Sequence, residues 1–420
     1  MQDTSGCPTW GLPEAGIEPG PPQWRHRDTN TPRNQAGGLS PSAATTLDSG
    51  HVAEVPGPRR QRRHSGPAPP HQGVHGLGTD VPRVSDPRVV IVGAGLMGRW
   101  HADAARHAGA RLVAIVDPVS DRARAIAGAA SSACSTLDAA LATPVDVVHI
   151  CTPLESHVAL SQQALAAGCH VILEKPATPT LAEAEALAAS ARAAGRMLVP
   201  VHQFVFQNGM RRILARRDGI GPLRHIEFTV CSAGADGKDS VDRDRIAAEI
   251  APHAFSLARA LLQTGMAGLD WHLERAAPGE WRFSATTTER CTVAALISMR
   301  ARPTFATCRV LGEHGGALAD LFQGFAVFEP DTASAGYKVM RPLRVGLGTA
   351  GASAWQLASR ALRRERAYPG LRRLCAATYA AIAGRGAAPF RDDEIVDVAA
   401  ARERLLTLAA PPSPAPSTGS

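Results

Sequence analysis

Glycines at 93, 95 and 98 follow a strand-like run of β-branched residues over 89–92, and this spacing suits the cradling of a pyrophosphate. Gly93 allows the tight turn, Gly95 removes the Cβ that would hold the backbone off a phosphate, and Gly98 lets the next helix lie close on the sheet. The phosphates would rest on the first backbone N–H groups of that helix, at Leu96 and Met97, where its dipole is positive. Asp117 closes a second strand over 111–116, about 20 residues beyond the glycines, where a carboxylate accepts hydrogen bonds from the adenosine ribose hydroxyls. This favours NAD, since a carboxylate repels the extra phosphate of NADP; Arg122 and Arg124, just downstream, leave NADP open.

The elements that must hold these residues alternate. Helices are expected over 96–107, 121–129, 137–141, 157–167 and 181–194, and strands over 111–116, 145–151, 171–173 and 197–201. The pattern predicts an α/β fold with a doubly wound parallel sheet, in which ligands collect outside the carboxyl ends of the strands. Asp117, Thr152 with Pro153, and Glu174 with Lys175 all fall at such ends. Further on, short strand-like runs occupy 226–230, 269–274, 281–288, 292–299, 304–310, 317–321 and 325–329. Between the first two lies a helical segment, 246–262, on which Glu249 and His253 are four apart and share one face.

With 420 residues and 45% hydrophobic content, the chain is long enough for two domains plus extra sequence. Its formal charge of +7 is spread out, with no basic stripe interleaved with aromatics, which argues against nucleic acid as a partner. The cysteines, Cys7, Cys134, Cys151, Cys169, Cys231, Cys291, Cys308 and Cys375, show no C-x-x-C pair; they read as small buried hydrophobes in a reducing compartment, with neither a metal site nor a disulfide framework. No apolar run suits a bilayer span and the N-terminus lacks a signal-peptide pattern, so a cytoplasmic location without membrane contact is expected.

Residues 1–85 are rich in Pro, Gly, Ser, Arg and His and read as a disordered extension, with the basic run 58–63 and His64, His71 and His75 as solvated tail residues. A start codon placed too far upstream would also account for this segment, and removing 1–80 is expected to leave cofactor binding intact. The end, 409–420, is Pro/Ser-rich and reads as a disordered tail.

The glycine turn, Asp117, Thr152-Pro153 with His157 soon after, and the E-K-P sequence Glu174-Lys175-Pro176 following a strand together resemble the Gfo/Idh/MocA family. The resemblance covers 86–329 and resumes more loosely over 368–408. It implies a Rossmann domain holding NAD(P) at 86–201 and, at 202–408, a substrate and oligomerisation α/β domain with an open, mainly antiparallel sheet, forming a homo-oligomer, dimer or tetramer. It further implies that Lys175 lies near the nicotinamide and the substrate hydroxyl, that the peptide bond before Pro176 is cis, and that Glu249 and His253 match an acid and a histidine aimed at the substrate. Four features depart from the family pattern. Glu249 replaces an aspartate and Ala251 a glycine, the run 242–245 replaces a glycine-rich segment, and Ser256 stands where an acid is frequent.

Hydride transfer from a carbon bearing a hydroxyl needs a flat electrophile against that carbon and a base for the hydroxyl proton. On this reading His253, titrating near physiological pH, is the general acid/base; Lys175, its charge disfavoured by burial, polarises and relays; and Glu249 orients the histidine or bonds another hydroxyl. Glu174 fixes its loop, and Thr152, Pro153 and His157 line the nicotinamide side. The expected activity is NAD(P)-dependent oxidation or reduction of a sugar, cyclitol or related polyol. The alternatives are elimination with no net redox change, reduction of an imine or other substrate, and a catalytically silent nucleotide-binding regulator, the last motivated by the altered 249–256 segment. Arg341, Arg344, Arg360, Arg363, Arg364 and Arg366 cluster near a helix beginning about 352; they read as a solvated face or oligomer contact, with recognition of a phosphorylated or nucleotide-linked sugar as a further reading.

Overall fold

A computed structural model of the chain describes residues 86–129, 131–332, 334–363, 365 and 369–410. The expectations for 1–85, Arg364, Arg366, residue 368 and the tail after 410 lie outside the described residues.

The first half alternates as β1 (Arg88–Val92), α1 (Leu96–His107), β2 (Arg111–Val116), α2 (Ser120–Ala127), β3 (Ser132–Cys134), α3 (Leu137–Leu141), β4 (Val147–Ile150), α4 (His157–Ala166), β5 (His170–Leu173), α5 (Leu181–Ala193) and β6 (Leu198–Pro200). The six strands form one parallel sheet in the order β3-β2-β1-β4-β5-β6. Val89, Val90 and Ile91 of β1 and Val147, Val148 and Ile150 of β4 are fully buried, because helices cover both faces of the central strands. The strand order reverses between β1 and β4, which opens a crevice there at the carboxyl edge. Strand β3 has no counterpart in the sequence expectation. It is a three-residue edge strand with mostly exposed side chains, so it carries no apolar pattern to read.

The second half contains α6 (Asn208–Leu214), α7 (Arg217–Ile220), β7 (Leu223–Cys231), α8 (Ser240–Leu262), β8 (His272–Ala277), β9 (Glu280–Thr286), β10 (Thr292–Ser298), β11 (Phe305–Gly312), β12 (Gly315–Asp320), β13 (Ala326–Pro330), α9 (Ala335–Leu362), α10 (Pro369–Ile382) and α11 (Asp392–Ala409). Its seven strands lie in the order β13-β12-β11-β7-β10-β9-β8, antiparallel except for the parallel pair β7 and β10. Alternate residues face the core, among them Ile226, Phe228 and Val230 of β7 and Val293, Ala295 and Ile297 of β10. They pack with Ile250, Phe255 and Leu257 of α8 in one apolar cluster. Helix α8 begins six residues earlier than the expected 246: Asp239 caps it by accepting from the Asp242 N–H at 2.8 Å, whereas 240–245 is too polar to show a period.

Helix α10 falls in the segment assigned from sequence to the second domain, yet Leu371, Leu374, Cys375 and Tyr379 complete the core of the first sheet. Arg372 reinforces this docking with a 2.7 Å ion pair to Asp103 of α1. The two sheets are separate, but the chain crosses back to finish the core of the first.

Candidate active site

The glycine turn follows from contacts that only hydrogen allows. Gly93 has a φ of +94°, and a Cβ there would stand 2.7 Å from the Cys151 carbonyl oxygen of the neighbouring strand end. A Cβ on Gly98 would lie 1.8 Å from the carbonyl oxygen of Gly93. Gly95 differs: nothing lies within 4 Å of its Cβ position, so the space beside it is open. Gly95 is also the N-cap of α1, and no side chain caps the helix, which leaves the first-turn amides of Leu96 and Met97 without a side-chain acceptor. An open cradle facing an uncapped positive helix end fits a pyrophosphate.

Asp117 is clamped beside this turn. One carboxylate oxygen accepts the Ala94 N–H at 2.8 Å and the other the Val119 N–H at 2.9 Å. The carboxylate is therefore held at the carboxyl end of β2, in the position a ribose would need.

Thr152 and Pro153 leave β4 on the opposite side of the crevice. His157 is buried, and its ring nitrogens lie 2.9 Å from the carbonyl oxygens of Thr152 and Pro176. The ring ties the two loops together, so it acts on the crevice by fixing its walls and has no free nitrogen to line it. The Lys175–Pro176 peptide is cis.

Lys175 reaches from the first domain to α8. Its Nζ donates to the Glu249 carbonyl oxygen at 3.3 Å. Pro252, inside α8, has no N–H to give the Ala248 carbonyl one turn back, so the backbone ladder is interrupted at the residue next to this contact. The Glu249 carboxylate turns away to Arg245 at 3.5 Å and makes no hydrogen bond to His253. The orienting bond expected between these two side chains is thus replaced by an i,i+4 ion pair.

His253 is buried against the Phe204 ring, 4.4 Å between centroids, and its Nδ1 has no hydrogen-bond partner. Burial, then the charges of Lys175 and His202, hold its pKa well below the ordinary histidine value. The expectation that it titrates near physiological pH is corrected: it is neutral there, because an imidazolium would be desolvated beside an ammonium. His202, directly after β6, is a second buried histidine whose Nδ1 is unpartnered, and burial lowers it to about 4. A cavity of about 20 Å³, lined by Pro176, His202, Pro252 and Arg402 among others, lies beside it and has room for about one water. The buried, unpartnered ring nitrogens of His202 and His253 both lie within the influence of the Lys175 charge.

Sequence reasoning missed His202 and a buried polar chain behind Glu174. Glu174 accepts the Lys175 N–H at 3.1 Å and faces His101 Nε2 at 3.0 Å; His101 Nδ1 meets His149 Nδ1 at 2.9 Å; His149 Nε2 meets the Tyr379 hydroxyl at 2.8 Å. Burial alone would raise Glu174, but the hydrogen bond and charge of His101, with help from Lys175, bring its pKa below the ordinary value. Burial and His101 keep His149 neutral, so it donates at one nitrogen and accepts at the other. The chain joins α1, β4, β5 and α10, which is why no local motif announces it. The one available signal was polar residues at positions that pattern alone places in the core, such as His149 within β4. Among the described residues, no group of three or more His, Cys, Asp or Glu side chains is placed to hold a metal ion.

Residues 87–202 match the model of the Gfo/Idh/MocA oxidoreductase family, described as an NAD-binding Rossmann fold. Inositol 2-dehydrogenase from Rhizobium meliloti is 32% identical over 180 residues, 42% of this chain and 54% of the relative. UDP-N-acetylglucosamine 3-dehydrogenase from Acidithiobacillus ferrooxidans is 33% identical over 142 residues, 33% of this chain and 44% of the relative. The chain thus matches about half or less of the length of these curated relatives. A solved structure of the Acidithiobacillus ferrooxidans UDP-N-acetylglucosamine 3-dehydrogenase superposes with a TM-score of 0.61 at 20% identity, covering 77% of this chain and 98% of that one. Similarity of fold therefore extends through the second sheet, well beyond the matched family segment.

Proposed function

We propose that the protein is an NAD-dependent dehydrogenase acting on a hydroxyl-bearing carbon of a sugar, cyclitol or nucleotide-linked sugar. The observation that carries this reading is the reach of Lys175, at the end of β5 in the NAD-binding domain, to the Glu249 carbonyl one turn before the buried, unpartnered His253. Gly93, Gly95, Leu96, Met97, Gly98 and Asp117 would hold the dinucleotide; Thr152, Pro153 and Glu174, braced by His157, would shape its nicotinamide end. Bound NAD supplies the hydride acceptor. The Lys175 ammonium gives its hydrogen bond to the substrate oxygen and stabilises negative charge developing there. Neutral His253 offers Nδ1 to the hydroxyl proton, and Phe204 with the surrounding apolar wall excludes water. The relatives named for inositol and UDP-N-acetylglucosamine support the substrate class.

Asp117 supports NAD over NADP, since its carboxylate sits where an added phosphate would be repelled. We also read the protein as a homo-oligomer of the cytoplasm that does not bind nucleic acid; the seven described cysteines all carry free thiols, and among the described residues no helix is long and apolar enough to cross a membrane.

The test is NAD reduction against a panel of cyclitols and UDP-sugars, with Lys175→Ala in parallel. Turnover on at least one compound is expected to fall by about 10³-fold in the variant, within the range for loss of a catalytic proton or charge group. NADH binding, followed by fluorescence, should persist. Full activity in the variant removes Lys175 from the chemistry and the proposal with it.

A further inference from the structure

Behind Lys175, four polar side chains run in one line through the interior: Glu174, His101, His149 and Tyr379. His101 and His149 are fully buried, and Glu174 and Tyr379 nearly so. Each ring nitrogen and each carboxylate oxygen in the line has a partner. One hydrogen lies in each of the three side-chain contacts, so the direction of one bond dictates the next.

The Glu174 end sets that direction. Burial would raise its carboxyl, but the hydrogen bond and charge of His101 and the charge of Lys175 hold it ionised. A carboxylate only accepts, so His101 Nε2 carries a hydrogen. If His101 is neutral, its Nδ1 is bare and accepts from His149 Nδ1; His149, kept neutral by burial and by His101, then has a bare Nε2 that accepts from the Tyr379 hydroxyl. All three hydrogens point toward Glu174. If His101 is a cation, both of its nitrogens donate, His149 carries its hydrogen on Nε2 instead, and the bond to Tyr379 reverses. The tautomer of His149 therefore reports the charge of His101. The first arrangement is the favourable one: Lys175 is the cation that Glu174 balances, and a second cation on the fully buried His101 would be left uncompensated. Hydrogen bonds aligned head to tail polarise one another, so the line gives Glu174 a stronger donor than a lone imidazole would.

We propose that His101, with His149 and Tyr379 aligned behind it, is a positioning residue for Lys175: its Nε2–H holds Glu174 as the carboxylate that accepts the Lys175 backbone N–H and balances the Lys175 ammonium. The proposal rests on the reading of Lys175 as the group that stabilises charge on the substrate oxygen. His101 touches no reacting atom and acts through Glu174. A merely structural role would show elsewhere. His101 lies on α1, whose first turn presents the Leu96 and Met97 amides, so a ring that only seats this helix would change dinucleotide binding.

Nitrogen-15 NMR of the histidine-labelled full chain at neutral pH should show His149 as the Nδ1–H tautomer, its signals assigned by their loss in His149→Gln. On a compound the wild type oxidises, His101→Leu should lower kcat by about 100-fold, the loss expected when a reacting group is misplaced, with the KM values for NAD and substrate within about threefold. His101→Gln, which keeps an N–H to give Glu174, should hold kcat within about tenfold of the wild type. His149 in the Nε2–H tautomer, an unchanged kcat in His101→Leu, a loss confined to the KM for NAD, or a kcat in His101→Gln as low as in His101→Leu would each overturn the proposal. Absence of turnover across the panel of cyclitols and UDP-sugars refutes the dehydrogenase reading, a failure told apart from this one because the tautomer is read without substrate.

Discussion

Acid should unfold this protein early, and through histidines. His202 and His170 are both lowered to about 4 in the fold, chiefly by burial, against an ordinary value of 6.5. His170 has a geometric reason as well, since its Nδ1 accepts the Met197 N–H at 3.0 Å and must stay unprotonated to do so. A histidine lowered in the fold costs nothing above its unfolded pKa. As pH falls through 6.5 the unfolded chain takes up the proton first, so stability is lost down to the folded pKa and levels off below it. Each of the two contributes a loss of about 2 kcal/mol at pH 5 and about 3 kcal/mol in the limit, since a tenfold difference in proton affinity between the folded and unfolded chain is worth about 1.4 kcal/mol. His149 and His253 are lowered as well and add in the same direction. The lowered carboxyls Asp146 and Glu174 act only at more acid pH, while Asp320 and Asp397, raised by burial, act in the opposite sense. Since a domain is stable by only about 5–15 kcal/mol, urea midpoints followed by tryptophan fluorescence should fall steeply between pH 7.5 and 5. His202→Asn should flatten that dependence by up to about 1.4 kcal/mol per pH unit. Equal midpoints at pH 7.5 and 5 would refute the placement of these rings in a dry interior.

Two glycine variants should separate binding from folding. Gly95→Val is expected to weaken NAD binding by more than about 100-fold with little change in melting temperature, because its side chain would enter open space beside the phosphates' expected position. Gly98→Ala should instead lower the melting temperature, since its Cβ would meet the Gly93 carbonyl at 1.8 Å; the reverse pattern would place the cradle elsewhere. Tyr379→Phe leaves His149 Nε2 buried without its hydrogen-bond partner and should cost about 1–3 kcal/mol in urea unfolding; a neutral effect would show that the polar chain is not closed at that end.

Within the described residues, local sequence determined the Rossmann half almost element by element. Long runs of β-branched residues, glycine turns and helix periods are local signals, and β1, β2 and β5 form within a residue of where the pattern puts them. The glycine turn and Asp117 were legible for the same reason: each does its work through backbone geometry at its own position. Strand β3 and the first turns of α8 were not, because an exposed edge strand and a polar helix start carry no apolar period.

Only tertiary structure decided what the site residues touch. The four-residue spacing of Glu249 and His253 put them on one face, yet the carboxylate pairs with Arg245 on the same helix, and the carbonyl meets Lys175, a contact that only the domain packed opposite supplies. His202 entered the site, and His101, His149 and Tyr379 joined behind Glu174, from elements far apart in the chain. The protonation of His253 was likewise not a property of its sequence neighbours. Burial energy and the field of nearby charges depend on what surrounds a group in space, and a linear pattern records only what precedes and follows it.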